Sequence, residues 1–384
     1  MKVAMIGHKV VPSRRGGIEN VLTSMCPILV EMGAEVTCYN RSSDKPETEY
    51  AALVKKSEYK GVRLKNAPTL KKRGASAMIA SFTAAICAAF SKYDIVHFHA
   101  EGPCAAMRIP KLFGKKCIAT VHGLDWQREK WGKGFASKYI KFGERTLAAC
   151  ADEIIVLSES ARDYFKKTYN RETVIIPNGI DRPVRRKANK ITDIFGLSKD
   201  DYICTVSRLT AEKGIHYLID AYNKVKPDKK LVIAGDTSDT DEYVKLLKDK
   251  AAGNPNIIFT GFISGQILDE IYSNAYAVCL PSDLEGMSIS LLEALAYKNA
   301  LLCSDIPENS SVAEEHAIYF KKGSVDDLAD KLKLICTDNN LAENLKKDCD
   351  EFILNKYSRR ACAYSTFKLY EAVLENKREG GQDE

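Results

Sequence analysis

Three features are missing from the 384-residue sequence, and each closes off a class of protein. No Gly-x-Gly-x-x-Gly follows the opening strand, so the fingerprint that seats a dinucleotide pyrophosphate at a helix N-terminus is absent and an NAD-dependent oxidoreductase is disfavoured. The twelve cysteines are scattered from Cys26 to Cys362 without a Cys-x-x-Cys pair, which leaves neither a short disulfide framework nor a zinc ligand set. With no signal peptide ahead of the first strand, they read as reduced, mostly buried thiols in a cytoplasm. The longest apolar run, 74–90, is 17 residues rich in Ala, Ser and Thr. A membrane span needs about 20 predominantly apolar residues, so a buried helix is expected there instead.

What is present suffices for two domains. The length exceeds what one hydrophobic core serves, and 45% hydrophobic residues support two cores. The net charge of +6 conceals an asymmetry. Residues 1–190 carry 34 Lys and Arg against 18 Asp and Glu, a balance of +16, and the remainder carries 23 against 33, or −10. The basic half is patchy, with Lys55-Lys56, Lys71-Lys72-Arg73 and Lys115-Lys116. No nucleic-acid recognition motif accompanies the charge; an anionic membrane surface or a phosphorylated acceptor fits the excess at least as well.

In chain order, a short apolar strand at Lys2 to Ile6 leads into a turn holding His8, Pro12, Arg14, Arg15, Gly16 and Gly17. An amphipathic helix from Ile18 to Met32 and a strand at Glu35 to Tyr39 complete a βαβ unit, the entry to a doubly wound parallel sheet. Gly16-Gly17 offers backbone N–H groups to a phosphate. Further strands are expected at Ile95 to Phe98, Lys116 to Val121 and Glu153 to Leu157. His99 and His122 fall at the carboxyl ends of two of them, where ligands of such sheets gather, although a His after a strand is commonly a loop residue. His97 and His99 share a face, but no third metal ligand is near in sequence. Asp125, Trp126, Gln127, Lys130 and Trp131 follow His122; both tryptophans of the chain fall here, a platform for a sugar ring or partner if they are not core.

Pro177-Asn178-Gly179-Ile180-Asp181 and the basic run after it mark the domain boundary. A second series begins with a strand at Ile203 to Val206, ending at Ser207-Arg208, with Lys213-Gly214 just before a helix from Ile215 to Lys226. Two cations at the carboxyl end of a first strand suit a diphosphate, Arg as a fork and Lys as a point charge. Asp239-Thr240-Asp241 looks like an Asp-x-Asp metal pair but sits where Asp commonly caps a helix. An apolar run from Ala275 to Leu280 stops at Pro281, Glu285 and Gly286 occupy a loop, and a helix is expected from Ser288 to Tyr297. Its first turn is an anion site, flanked by Glu285 and, two turns in, by Glu293. Carboxylates beside an anion site fit a ligand that also carries hydroxyls, because a carboxylate accepts and a sugar donates. The spacing also suits an ordinary capped helix. A last helix, Arg359 to Leu374, closes the chain.

Taken together these residues resemble the family 4 glycosyltransferases of GT-B fold, over nearly the whole length. The resemblance rests on Gly16-Gly17-Ile18-Glu19, Thr120-Val121-His122-Gly123-Leu124-Asp125, Pro177-Asn178-Gly179-Ile180-Asp181, Ser207-Arg208-Leu209 with Glu212-Lys213-Gly214, and Glu285 followed by Glu293, all in the family's order. The opening also looks like the branch that makes bacterial surface polysaccharides. The family often has a second Gly after the first Glu, where this chain has Gly286-Met287-Ser288, and a Gly-Gly pair where this chain has Ile306-Pro307-Glu308. These departures bear on the donor sugar rather than on the fold.

The resemblance implies two Rossmann-like domains, 1–180 on the acceptor side and 181–357 for the nucleotide sugar, facing a central cleft, with a C-terminal helix (358–384) crossing back to the first. It implies that Glu293 binds the ribose, Glu285 the transferred sugar, and Arg208 and Lys213 the diphosphate with the amides of Gly286, Met287 and Ser288 and with Gly17. Phe262 and Ile263 would meet the base, His122 would lie at the reaction centre, and His99, Asp125, Trp126 and Trp131 would be acceptor-side candidates. No obligatory metal or cofactor is expected. The substrate would be a nucleoside-diphosphate sugar of UDP or dTDP type. The acceptor would be a glycan or polyprenol-linked sugar, reached in the cytoplasm or at the inner face of the plasma membrane. The rival readings are a nucleotide-sugar epimerase of the same fold and a non-catalytic carbohydrate-binding scaffold.

Overall fold

A computed structural model describes residues 1–70, 75–124, 134–236 and 241–379. The chain divides into two compact units, 1–179 with 359–384 and 180–358. Counted by unit rather than by halves of the sequence, the first carries 34 basic against 22 acidic residues (+12) and the second 23 against 29 (−6). The basic run 182–190 belongs to the acidic unit, which softens the asymmetry.

The first unit is built on an eight-stranded sheet of β1 (Lys2–Ile6), β2 (Glu35–Arg41), β3 (Glu58–Tyr59), β4 (Val62–Ala67), β5 (Ile95–His99), β6 (Lys116–Val121), β7 (Glu153–Val156) and β8 (Val174–Ile175). The spatial order is β3-β4-β2-β1-β5-β6-β7-β8, parallel throughout except for the β3–β4 hairpin. Val3 to Ile6 and all five residues of β5 are buried, as expected for strands covered on both faces. β4 alternates buried Val62 and Leu64 with exposed Arg63 and Lys65, a half-covered strand near the sheet edge that no continuous apolar run announces.

The long Ala-rich segment forms the helix Ala75–Ala89, but it is not buried all round. Ala80, Ala84, Ala85 and Ala88 pack against the sheet, whereas Ile86 and Phe90 on the other side are exposed. Small side chains on one face let the helix approach closely and leave the bulkier residues outside.

The C-terminal helix Arg359–Glu379 packs on this same unit. Ala363 and Tyr370 are fully buried, and Tyr370 joins Val3, Met5, Leu22, Cys26 and Leu29 in one apolar cluster. Its hydroxyl lies 2.6 Å from His97 Nδ1.

The second unit carries β9 (Tyr202–Val206), β10 (Lys230–Ala234), β11 (Ile257–Gly261), β12 (Ala277–Leu280), β13 (Ala300–Ser304) and β14 (Ala317–Phe320). All pair in parallel, in the order β11-β10-β9-β12-β13-β14. The chain enters and leaves this unit at adjacent points, with Ile180 N donating to Tyr357 O at 2.8 Å.

Replacing Tyr370 by Phe leaves the ring in place and removes the partner of a buried imidazole nitrogen. The first unit is expected to lose roughly 1–3 kcal/mol of stability, read as a lower denaturant midpoint for its transition. An unchanged midpoint would mean that the Tyr370–His97 bond does not anchor the helix.

Candidate functional site

In the second unit the strand order reverses between β9 and β12, the switch point where ligands of open parallel sheets bind. The loops leaving these two strands are pressed together. Gly214 has φ +63°, and a Cβ there would meet Pro281 O at 1.9 Å, so only glycine permits the approach. The contact brings Lys213 beside Glu285, 72 residues away. Lys213 Nζ donates to Glu285 Oε1 at 2.6 Å, and Ser282 Oγ donates to the same oxygen at 2.7 Å. Both partners are largely shielded, with Lys213 15% and Glu285 9% exposed at the side chain. Arg208 follows β9 in the same loop, its Nη2 4.0 Å from Glu212 Oε1, and is 40% exposed at the side chain. The loop after β10 closes in as well, because a Cβ on Gly235 (φ +146°) would strike Ser207 O at 1.8 Å.

The helix after β12 runs Ile289–Ala296 and is capped by Ser288, whose Oγ accepts from Leu291 N at 3.3 Å. Ser290 Oγ donates to Val206 O at 2.6 Å, tying the first turn to the end of β9. That turn, with its positive dipole end, therefore lies beside the loop that carries Arg208 and Lys213. Met287 and Ser288 are buried. Glu293 Oε2 accepts from the hydroxyl of Tyr272 at 3.1 Å. The Tyr272 hydroxyl is held far above the usual phenol range, first by burial and then by the charge of Glu293, so it stays a donor. Tyr272 stacks on Tyr297 with centroids 5.1 Å apart, and Tyr297 donates to Asp269 at 2.6 Å. Phe262 and Ile263 are half-buried just past the carboxyl end of edge strand β11.

The first unit has its own switch point, between β1 and β5. Gly7 has φ +115°, and a Cβ there would meet His99 O at 2.2 Å, so the loop after β1 lies directly on the end of β5. Three histidines gather at this edge. The His97 and His99 rings stack at 4.3 Å, and His99 Nδ1 lies 3.1 Å from His122 Nε2 at the end of β6. His97 is satisfied at both nitrogens, by Tyr370 and by Thr120 Oγ1 at 2.7 Å. His8 Nε2 lies 3.0 Å from Asn40 Oδ1.

Burial keeps His8, His97 and His99 neutral. It lowers His8 to about 4 against the opposing hydrogen bond from Asn40. It lowers His97 to about 3, helped by the charge of His122. His99 is driven well below its ordinary value by burial and then by the neighbouring histidines. Among the described residues no group of His, Cys, Asp and Glu is disposed to hold a metal ion.

Gly17 opens the helix Gly17–Glu31, with Gly16 as its N-cap. Glu19 turns back to accept from Lys9 N at 2.7 Å, which fixes the loop after β1. The expected site residues thus fall into two sets. Arg208, Lys213, Glu285, Gly286, Met287, Ser288 and Glu293 lie in the second unit with Phe262 and Ile263, and Gly17, His99 and His122 lie in the first. Asp125, Trp126 and Trp131 lie outside the described residues, as do Asp239 and Thr240.

Three supporting residues escaped the sequence reading. Ser282, three residues before Glu285, stands in a Ser-x-x-Glu spacing that is readable locally. Tyr272 precedes Glu293 by 21 residues and gives no local signal. Gly7 is visible only once β5 is known to be the neighbour of β1.

Comparison with known proteins bears on the family and the fold. A sequence pattern described as "Glycosyltransferase Family 4" matches residues 15–184, and one described as "Glycosyl transferases group 1" matches residues 188–351. An uncharacterized glycosyltransferase of Methanocaldococcus jannaschii is 24% identical over 98% of this chain and 99% of its own length. The UDP-Gal:alpha-D-GlcNAc-diphosphoundecaprenol alpha-1,3-galactosyltransferase of Escherichia coli is 27% identical over 70% of this chain and 72% of its own. Among solved structures, Anabaena HepE in complex with UDP and glucose superposes with a TM-score of 0.79 at 15% identity, over 97% of this chain and all of that one (100%).

Two outcomes are expected from this geometry. An unfolded histidine takes up its proton near 6.5, whereas His8 and His97 do so in the fold only near 4 and 3. Between those values the unfolded chain holds more protons. Stability should therefore be full above pH 6.5 and fall as the pH drops towards 4, measured as the denaturant midpoint of the first unit. A midpoint that stays level over that range would contradict the neutral buried rings. For the ion pair, Lys213→Ala and Glu285→Gln should couple by roughly 0.5–3 kcal/mol in a double-mutant cycle on stability. Strictly additive losses would mean that the contact carries no energy.

Proposed function

The chain belongs to the family 4 glycosyltransferases and has their GT-B pair of parallel-sheet domains; on that premise we propose that it is a retaining hexosyltransferase of surface-polysaccharide synthesis. It takes a sugar from a UDP- or dTDP-type donor and passes it to a glycan or polyprenol-linked glycan. The observation that carries the reading is the convergence of Arg208, Lys213, Glu285 and a helix N-terminus at the switch point of one unit. The name of the Escherichia coli relative, with a UDP-sugar donor and a diphosphoundecaprenol acceptor, supports the same substrate class.

The roles follow from charge development. Breaking a sugar–diphosphate bond builds positive charge on the anomeric carbon and negative charge on the leaving diphosphate. Arg208, Lys213 and the amides of Gly286, Met287 and Ser288 stabilise the diphosphate. With two cations and a helix terminus so placed, a divalent ion is not required to neutralise it. Glu293 accepts from the ribose hydroxyls, held in position by Tyr272. Glu285 accepts from the donor sugar; its hydrogen bonds from Lys213 and Ser282 leave it a poor nucleophile. Attack on the same face, with the leaving phosphate taking the acceptor's proton, therefore fits better than double displacement. His122, 3.1 Å from His99 Nδ1 on the first unit, is the residue that the family resemblance assigns to the reaction centre. Gly17 would add a backbone donor to the diphosphate, and Phe262 and Ile263 would pack against the base. The excess of cations on the first unit suits an acceptor at an anionic membrane.

Arg208→Ala is the direct test, because Arg208 is exposed and does not hold Glu285 in place. A hydrogen bond to a charged group contributes about 1.5–3 kcal/mol, so calorimetric affinity for UDP should fall roughly 10- to 150-fold. Glu293→Gln should weaken UDP and UDP-sugar alike. Undiminished UDP binding by Arg208→Ala overturns the site, and conversion of the donor to its epimer without acceptor would assign an isomerase instead.

A further inference from the structure

We propose that an exposed aromatic and aliphatic patch on the first unit, flanked along the chain by lysine and arginine, seats the protein on an anionic lipid surface. The patch is formed where the helix Ala75–Ala89 ends beside the short helix Arg108–Leu112. Phe90 is 73% exposed, Phe113 51%, Leu112 85% and Ile86 45%. The two phenyl rings pack on each other with centroids 4.6 Å apart, and Ile86 lies one turn before Phe90, whose N–H donates to Ile86 O at 3.3 Å. Single exposed apolar residues are ordinary on a protein surface. A contiguous group of this size is not, and marks a place where water is displaced by something else.

The patch is a fixed shape rather than a pair of loose ends. Lys115 Nζ donates to Ser91 O at 2.6 Å and to Tyr93 O at 3.0 Å, clamping the turn after Phe113 to the turn after Phe90. Gly114 supplies the φ of +72° that this turn requires, and its N–H donates to Lys111 O at 3.0 Å. Lys111 and Lys116 both reach Asp152, at 2.6 and 3.3 Å, which anchors the short helix to the end of the loop before β7. The rings therefore need no ordering when they meet a surface.

Charge selects the occupant. Lys92, Arg108, Lys111, Lys115 and Lys116 adjoin the apolar residues along the chain, and the nearby carboxylates are Asp94, Asp152 and the fully buried Glu101. Asp94 is occupied by the backbone N–H of Lys2 at 2.7 Å, and Asp152 by two of the lysines and Cys117 N. The local balance is positive on a unit that is itself at +12. A second copy of the chain would set two cationic stretches against each other. An anionic bilayer instead offers phosphates at the depth of the lysine heads and acyl chains at the depth of the rings, the arrangement that amphipathic surface segments use. No helix among the described residues is long and apolar enough to cross a membrane, so the contact is a seat rather than a span. For its purpose the inference rests on a lipid-linked acceptor, but the seat is a property of the patch alone.

The test is therefore made without sugar. Purified full-length protein is sedimented with vesicles of phosphatidylcholine alone or with phosphatidylglycerol. Binding is expected with the anionic vesicles, little with the neutral ones, and release as salt rises. Leu112→Ser with Phe90→Ser should lower the partition coefficient at least tenfold, and Lys92→Glu with Arg108→Glu should do the same. UDP affinity should be unchanged in both pairs, since these residues lie in the other unit from Arg208 and Glu293. Leu112→Trp, at a position already exposed, should show blue-shifted emission and protection from an aqueous quencher on anionic vesicles. Wild-type binding by the serine pair, equal binding to both vesicle types, or an unshifted Leu112→Trp emission overturns the proposal. A concentration-dependent dimer abolished by the serine pair also overturns it, in favour of self-association. Vesicle binding without any sugar transfer would instead leave the seat intact and count against the enzymatic reading.

Discussion

The close approach of two loops at one sheet's switch point is the constraint on which the candidate site depends. Gly214 and Pro281 can touch only because Gly214 lacks a Cβ, and that contact sets Lys213 against Glu285. Gly235 against Ser207 and Ser290 against Val206 draw two further segments to the same edge. A cation, a carboxylate and a helix N-terminus are thereby held within one shielded cluster. Each alone would be an ordinary surface feature; together they form an environment in which a charged diphosphate and a hydroxyl-bearing sugar both find partners.

The ion pair also makes the two functions of that cluster interdependent. Lys213 serves as a cation for an incoming phosphate and as the donor that orients Glu285. Removing either side chain leaves a shielded charge without its partner. The consequences of changing Lys213 therefore cannot be read as loss of a phosphate contact alone, whereas Arg208, more exposed and only loosely associated with Glu212, is the cleaner probe. Glu293 is separately supported by a buried tyrosine stack, so ribose recognition has its own scaffold.

The first unit is organised on a different principle. Its switch point is lined by imidazoles stacked and hydrogen-bonded in a row from Tyr370 of the last helix through the buried, neutral His97 and His99 to the half-buried His122. The C-terminal helix is therefore connected to the same row of rings that ends at His122. Elsewhere on this unit, the small alanines of one helix face leave Ile86 and Phe90 turned to solvent, and these residues form the surface proposed to meet an anionic lipid.

Much of this was legible from sequence because it is local. The apolar runs of β1, β5, β6, β9 and β10, the helices between them, the break near Pro177 and the order of the Gly-Gly, His122, Arg208, Lys213, Glu285 and Glu293 segments depend on residues adjacent along the chain. Periodicity and turn chemistry express such features directly. By itself the sequence determined the doubly wound class, the family and the residue types available for a diphosphate and a sugar. It could not determine strand order, because β9 beside β12 and β1 beside β5 are pairings across long stretches of chain, chosen by the burial of whole sheet faces. Only the tertiary structure decided that Lys213 would hold Glu285, that Tyr272 would stand behind Glu293, and that His99 would meet His122. It also decided which face of the Ala75–Ala89 helix would be left outside, since packing against the sheet, not composition, selects the side that small residues must occupy.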